Sequence, residues 1–199
     1  MSINTDVNSV NSVDSVNSID SVNSSVSSNA EIVKKIFTLC REKKYTIATA
    51  ESVTGGRIAS EFTAISGSSE VFTAGVVCYS EHSKVHSAGV DIRLINEKGV
   101  YNEEVVAQMA ERIAKRNVAN VGIATSGSVD RGEIFFGFYI KPENNTNFLS
   151  VAENENILKT LVITFSHNED NVKKLTRNEI QNEATTFSLS YILDLLQKI

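Results

Sequence analysis

The chain of 199 residues is 41% hydrophobic with a formal net charge of −5; this suits one domain with a sizeable core, and the dispersed lysines and arginines argue against a nucleic-acid partner. Two cysteines, Cys40 and Cys78, make no disulfide framework and suit a reducing compartment. No apolar run approaches the roughly 20 residues of a membrane helix, and no basic segment followed by an apolar core opens the chain, so the expected location is the cytosol.

Residues 1–29 differ from the rest. Positions 8–22 are five triplets of the form Asn/Asp-Ser-Val/Ile. A period of three fits neither a packed strand nor an amphipathic helix, and the low hydrophobicity predicts a disordered tail. Because Val and Ile recur at low charge, a self-association segment is the other reading.

The domain is expected over residues 30–199. Apolar residues at Ile32, Val33, Ile36, Phe37 and Cys40 predict a helix over 31–43. A strand is predicted over 45–50, a helix over 57–65 and a strand over 71–79. Asn102 suits an N-cap, with Glu103 and Glu104 in the favoured first turn of a helix running to about residue 116. Strands follow over 121–125, 134–140 and 158–165, and a largely helical end over 171–197. This alternation predicts a three-layer α/β/α domain with helices on both faces of the sheet.

Three stretches carry candidate chemistry. Ser52-Val53-Thr54-Gly55-Gly56 lies between a predicted strand and a predicted helix. Small residues and a helix N-terminus favour an anion there, though a plain capped turn has the same composition. Ser68 and Ser69 follow Gly67 just before the next strand. Such a pair usually belongs to a turn, but Tyr79 and Lys84 follow within the same stretch, and a neutral lysine can deprotonate a serine. Thr125-Ser126-Gly127-Ser128 follows another strand. It suits either a tight turn or a ligand site at the carboxyl end of the sheet. His82 and His86 have helical metal-site spacing but no third ligand nearby, so they are expected to be surface residues. His167 is expected to be structural and Cys78 a small core residue. No metal or cofactor is assigned.

Together these pieces resemble the CinA C-terminal domain family, of the nicotinamide-nucleotide amidase type. The matching stretches are Ala50-Glu51-Ser52-Val53-Thr54-Gly55-Gly56, Gly67-Ser68-Ser69-Glu70-Val71-Phe72, and the run from Gly75 through Tyr79 to Lys84. Gly89-Val90, Gly99-Val100, Glu103-Glu104-Val105-Val106, Met109-Ala110 and Ser126-Gly127 continue the match. The resemblance implies an α/β/α domain with a mixed sheet, a homo-oligomer, and an amidohydrolase converting nicotinamide mononucleotide to nicotinic acid mononucleotide and ammonia. By position it implies Ser69 as nucleophile, with backbone N–H groups near Ser68 and Ser69 holding the oxyanion. It implies Lys84 as general base and Tyr79 as proton relay. Ser52, Thr54, Gly55, Gly56, Ser68, Ser126, Gly127 and Arg177 are the substrate-binding positions it implies.

Three departures stand out. Val53 replaces a cysteine. The loop after Gly127 is short, where the family carries a longer Gly/Pro-rich one. Gln181 replaces a second arginine one helical turn beyond Arg177. The last two predict weaker phosphate capture. A non-catalytic nucleotide- or partner-binding relative, or an amidase for a non-phosphorylated amide, are the alternatives.

Overall fold

In the computed structural model, which describes residues 28–142, 156–164 and 175–199, Ser28 opens the first helix. Its hydroxyl accepts from the Glu31 amide, and the Glu31 carboxylate accepts from the Ser28 amide, closing a capping box. Helix α1, Asn29–Lys43, buries the expected stripe of Ile32, Val33, Ile36, Phe37 and Cys40. Ser28 and Asn29 therefore belong to the helix rather than to the tail, whose residues 1–27 lie outside the described residues.

Strand β1, Ile47–Glu51, is buried at every position. It sits between β2, Phe72–Val77, and β3, Val121–Ser128, and runs parallel to both. A strand covered on both faces reads as a near-continuous run of small and apolar residues, as this one does. Strand β4, Glu133–Ile140, pairs antiparallel with β3, and β5, Ile157–Thr164, pairs antiparallel with β4. The mixed sheet has the order β2-β1-β3-β4-β5.

Helices α1, α2 (Arg57–Thr63) and α6 (Arg177–Gln197) pack on one face around Phe37, Ile58, Phe62, Ile180 and Leu189. The short helices α3 (Glu81–His86) and α4 (Ile92–Lys98) precede α5 (Glu103–Arg116), which packs on the other face through Val106, Met109, Ala110 and Ile113. The three-layer α/β/α arrangement matches the expectation. None of the described helices is long and apolar enough to cross a membrane.

Helix α5 lies unusually near the sheet. A Cβ on Gly122 would overlap the Ala110 carbonyl, and one on Gly137 would overlap the Val106 carbonyl. The absence of side chains there lets the backbone of α5 rest on β3 and β4. Its N-terminus, capped by Asn102, then lies over the carboxyl end of β3, where the preceding Val100 carbonyl accepts from the Ser126 hydroxyl.

Two features differ from the sequence reading. β3 continues through Ser128 because β4 pairs with it down to Ser128↔Glu133, so Ser126 and Gly127 are strand residues rather than turn residues. Helices α3 and α4 were not expected. Each is too short to show an apolar period, and each is fixed by a capping side chain, Ser80 or Asp91. Helix α6 opens at its N-cap Thr176; the helix expected over 171–174, Phe165 of the expected fifth strand, and His167 lie outside the described residues.

Gly122→Ala is expected to destabilise the chain by about 1–3 kcal/mol through overpacking, against typically about 1 kcal/mol for Ser28→Ala, which removes a cap. Urea denaturation measures both. An unchanged midpoint for Gly122→Ala would show that α5 moves away from the sheet without cost.

Candidate active site

At the end of β1 the chain turns through residues 52–56 into α2. Gly55 and Gly56 have φ of 63° and 93°, a left-handed region that residues with a Cβ rarely adopt. The turn is built on Glu51. Its buried carboxylate accepts from the hydroxyls of Thr49 (3.4 Å) and Thr54 (2.7 Å), and from the amides of Gly56 (3.0 Å), Ile58 (3.1 Å) and Ala59 (2.8 Å). Thr54 also meets the Thr125 hydroxyl at 2.8 Å, which ties the turn to β3. A carboxylate at a helix N-terminus is favoured by the helix dipole and the unpaired amides. The anion expected from a ligand at Gly55 and Gly56 is thus supplied by the chain itself.

Val53 is buried in the core beneath the turn, so its departure from cysteine concerns packing. The Gln181 amide donates to the Val53 carbonyl at 2.9 Å. Arg57 donates to the Thr54 carbonyl at 3.0 Å and to the side-chain oxygens of Asn178 and Asn182. Helix α6 therefore grips the turn with neutral groups.

Ser52 is 4% exposed and Lys84 2%. Lys84 Nζ lies 3.0 Å from Ser52 Oγ and donates to the Cys78 carbonyl at 3.2 Å. Local structure sets this up. The Cys78 amide donates to the Glu51 carbonyl at 2.7 Å and holds the end of β2 against β1. Ser80 then caps α3, which turns Lys84 back over the strands. Burial pushes the Lys84 amine below the usual 10.5 of lysine, partly opposed by Cys78 and Glu81. The Cys78 thiol is itself pushed up to about 11 by burial, so near neutral pH it is protonated, and the opposition that remains is that of Glu81. A neutral Lys84 can accept the proton of the Ser52 hydroxyl along the same 3.0 Å line.

The structure does not bring Ser69 to Lys84. Ser68 and Ser69 form a single 3₁₀ turn before β2, whereas Lys84 follows the other end of that strand. Six residues at about 3.3 Å each place about 20 Å between the two ends. The Ser68 amide donates to the Ile65 carbonyl, and Arg41 pins Gly67 and Glu70 to α1. Ser69 is exposed on that far edge.

The other candidates divide. Ser126 is buried beside the turn, since the Ser52 amide donates to the Thr125 carbonyl at 2.9 Å. Gly127 pairs with Ile134 on the hairpin. Tyr79 is 61% exposed and its hydroxyl accepts from Arg177 at 2.7 Å, so its partner is Arg177 rather than Lys84. Thr54 is committed to Glu51 and Thr125. Thus Ser52, Lys84, Ser126, Tyr79 and Arg177 collect at the carboxyl ends of the parallel strands, where ligands bind in open α/β sheets. Sequence reasoning missed Glu51; the available signal was an acid closing an otherwise apolar strand just before a Gly-Gly helix start. His82 and His86 lie on α3 with ring centroids 3.9 Å apart. The described residues hold no group of three side chains able to bind a metal.

The family model described as CinA C-terminal domain matches residues 29–196. A protein of Alkaliphilus oremlandii, named as competence-damage inducible, is 33% identical over 163 residues, covering 77% of this chain and 37% of that relative. A CinA-like protein of Flavobacterium psychrophilum is 43% identical over 90 residues, covering 45% of this chain and 22% of the relative. The chain thus spans well under half the length of these curated relatives. Among solved structures, a competence or damage-inducible protein from Enterobacter asburiae superposes with a TM-score of 0.69 at 23% identity, covering 86% of this chain and 99% of that one. The Agrobacterium tumefaciens competence/damage inducible protein superposes with a TM-score of 0.68 at 24% identity, covering 84% and 94%. Both show the same fold.

The buried amine sets a pH dependence of stability. With its folded pKa lowered by desolvation, Lys84 binds fewer protons folded than unfolded between that pKa and the usual 10.5. Its burial therefore opposes folding most below the folded pKa, and stability rises with pH through the window. Wild type should gain stability relative to Lys84→Met as pH is raised toward 10. Paired urea titrations at several pH values measure this; a difference independent of pH would mean that Lys84 keeps its ordinary pKa.

Proposed function

This chain belongs to the CinA C-terminal domain family, and we propose that it is a serine amidohydrolase in which Ser52 is the nucleophile and Lys84 the general base. One observation carries the reading: a buried lysine amine with a lowered pKa lies 3.0 Å from a nearly buried serine hydroxyl at the carboxyl edge of the sheet. A surface lysine has no reason to be there, and an activated nucleophile needs a base in this position. The substrate class is a small carboxamide, with nicotinamide mononucleotide the leading member by resemblance to the family.

The reaction follows from the groups in place. Neutral Lys84 takes the Ser52 proton as Oγ attacks the amide carbon. The amides of Val53 and Thr54, the two residues after the nucleophile, hold the oxyanion. As the tetrahedral intermediate collapses, the Lys84 ammonium returns its proton to the leaving nitrogen and ammonia departs. Lys84, neutral again, takes a proton from water as the water oxygen attacks the acyl-Ser52 ester, and returns that proton to Ser52 Oγ as the ester C–O bond breaks and the acid is released. Tyr79, held by Arg177 at the mouth, orients the amide and passes protons outward. Glu51 acts on the reaction through the turn it holds, as a positioning residue. A cytosolic homo-oligomer belongs to the same proposal.

Ammonia release from nicotinamide mononucleotide and simpler amides tests the reading. Ser52→Ala and Lys84→Met should each lower turnover by about 10²-fold or more, whereas Ser69→Ala should retain it. Loss of activity in Ser69→Ala with retention in Ser52→Ala would reverse the assignment. In wild type, kcat/KM should rise with pH and level off below 10.5 as Lys84 loses its proton. A rate that keeps rising to 10.5 would remove Lys84 as a base of lowered pKa.

A further inference from the structure

The run His82-Ser83-Lys84-Val85-His86 sets two histidines four residues apart around the buried lysine. It lies in helix α3, so the two share one face, a turn apart. Both are exposed, whereas Lys84, midway between them, turns inward to Ser52. The imidazoles touch. Their centroids lie 3.9 Å apart with the ring planes tilted by 52°, closer than the roughly 4.5–7 Å usual for aromatic pairs. No described residue makes a hydrogen bond to either ring. Each neutral ring offers one nitrogen lone pair, and the proposed amidase chemistry uses neither.

The backbone beneath the pair is held at both ends. Ser80 and Ser83 close a capping box at the start of α3, and Arg116 of α5 donates to the His86 and Ser87 carbonyls at 3.0 Å each at its end. Ligands on a pre-organised element lose less freedom on binding. The charges around the pair allow a cation. Glu81 stands beside His82 on the helix, and the guanidiniums of α5 are spent on carbonyls, Arg112 on Gly89 and Arg116 on His86 and Ser87. Competing nitrogen and sulfur ligands are few. The chain has three histidines in all, and both cysteines are buried.

We propose that His82 and His86 chelate one divalent transition-metal ion, and that this ion staples α3 from its first turn to its last. Imidazole nitrogens suit Cu²⁺, Ni²⁺ and Zn²⁺, whereas Mg²⁺ and Ca²⁺ take oxygen ligands. The protein supplies two ligands and water fills the remaining positions, which separates this site from a closed structural centre. The consequence is local. Helix α3 has six residues, too few to be stable alone, and it carries Lys84. An ion bridging His82 and His86 spans nearly its whole length and holds the backbone that presents the amine. The inference stands apart from the amidase reading, because ion binding and helix stability are both measured without turnover.

Calorimetric titration of the full chain with the chlorides of copper, nickel, zinc and magnesium tests the site. Wild type should bind one transition-metal ion per chain, copper most tightly, and leave magnesium unbound. His82→Ala and His86→Ala should each weaken binding by at least roughly 10-fold, and His167→Ala should leave it unchanged. With free nickel at about 100 times its dissociation constant, the unfolding equilibrium constant should fall roughly 100-fold. The Lys84 and Ser87 amides donate to the Ser80 and Ser83 carbonyls at 2.9 Å. Their hydrogen exchange should slow with nickel in wild type and not in His86→Ala. Absence of binding in wild type, full affinity in either single variant, or loss of binding in His167→Ala would overturn the site. Binding with unchanged exchange at those two amides would keep the site and overturn the staple.

Discussion

The Glu51 carboxylate is the interaction on which the site depends. A buried charge without partners costs several kcal/mol, so this one has to be surrounded, and five donors surround it. Those donors come from β1, the turn and the first residues of α2. Through Thr54 the network reaches Thr125 on β3. A single side chain therefore fixes where β1 stops, how the chain bends and where α2 begins. Ser52 is the next residue along, and its hydroxyl meets Lys84 on the opposite side of the strand from this network. Ser52 is positioned by an anion that never touches it.

Lys84 is held by a complementary arrangement. Burial disfavours its ammonium form, and the lysine remains buried because α3 is anchored on both sides. Ser80 and Ser83 close a capping box at its start, and the Cys78 carbonyl accepts from Nζ. The destabilisation is local and is offset by a sheet whose central strand is buried throughout. Strained or desolvated groups persist where the surrounding fold is firm. Here the firmness comes from α5, seated against β3 and β4 where Gly122 and Gly137 have no side chains.

Much of this was legible from the residues. The stripes of α1 and α5, the caps at Asn102 and the run of β1 gave elements within a few positions of those observed. Lys84 stood out through its neighbours. Its partner did not, because sequence distance misleads across a parallel sheet. Ser69 is 15 positions from Lys84 but lies at the other end of β2, whereas Ser52 is 32 positions away and shares its edge. A right-handed crossover returns each parallel strand to the same starting edge, so turns that lead into strands and turns that leave them never meet. The role of Glu51 was hidden for another reason. An acid closing a strand before a Gly-Gly helix start marks the position, but what it does follows only once the helix amides that bind it are placed in space.

The division of the sheet into a parallel and an antiparallel half has a consequence for how such a domain diversifies. Ser52 and Lys84 belong to the parallel half, whose crossovers tolerate little change in length without moving the site. Residues 129–132 belong to the antiparallel half, where the Ser128↔Glu133 pair closes the ladder beneath them. A hairpin tip of this kind can lengthen, shorten or change its charges while the register below it holds. The Ser52–Lys84 pair and the hairpin tip are thus carried on separately mutable parts of the sheet. A lineage can exchange a long tip for the short Asp-Arg one found here with the Ser52–Lys84 pair undisturbed.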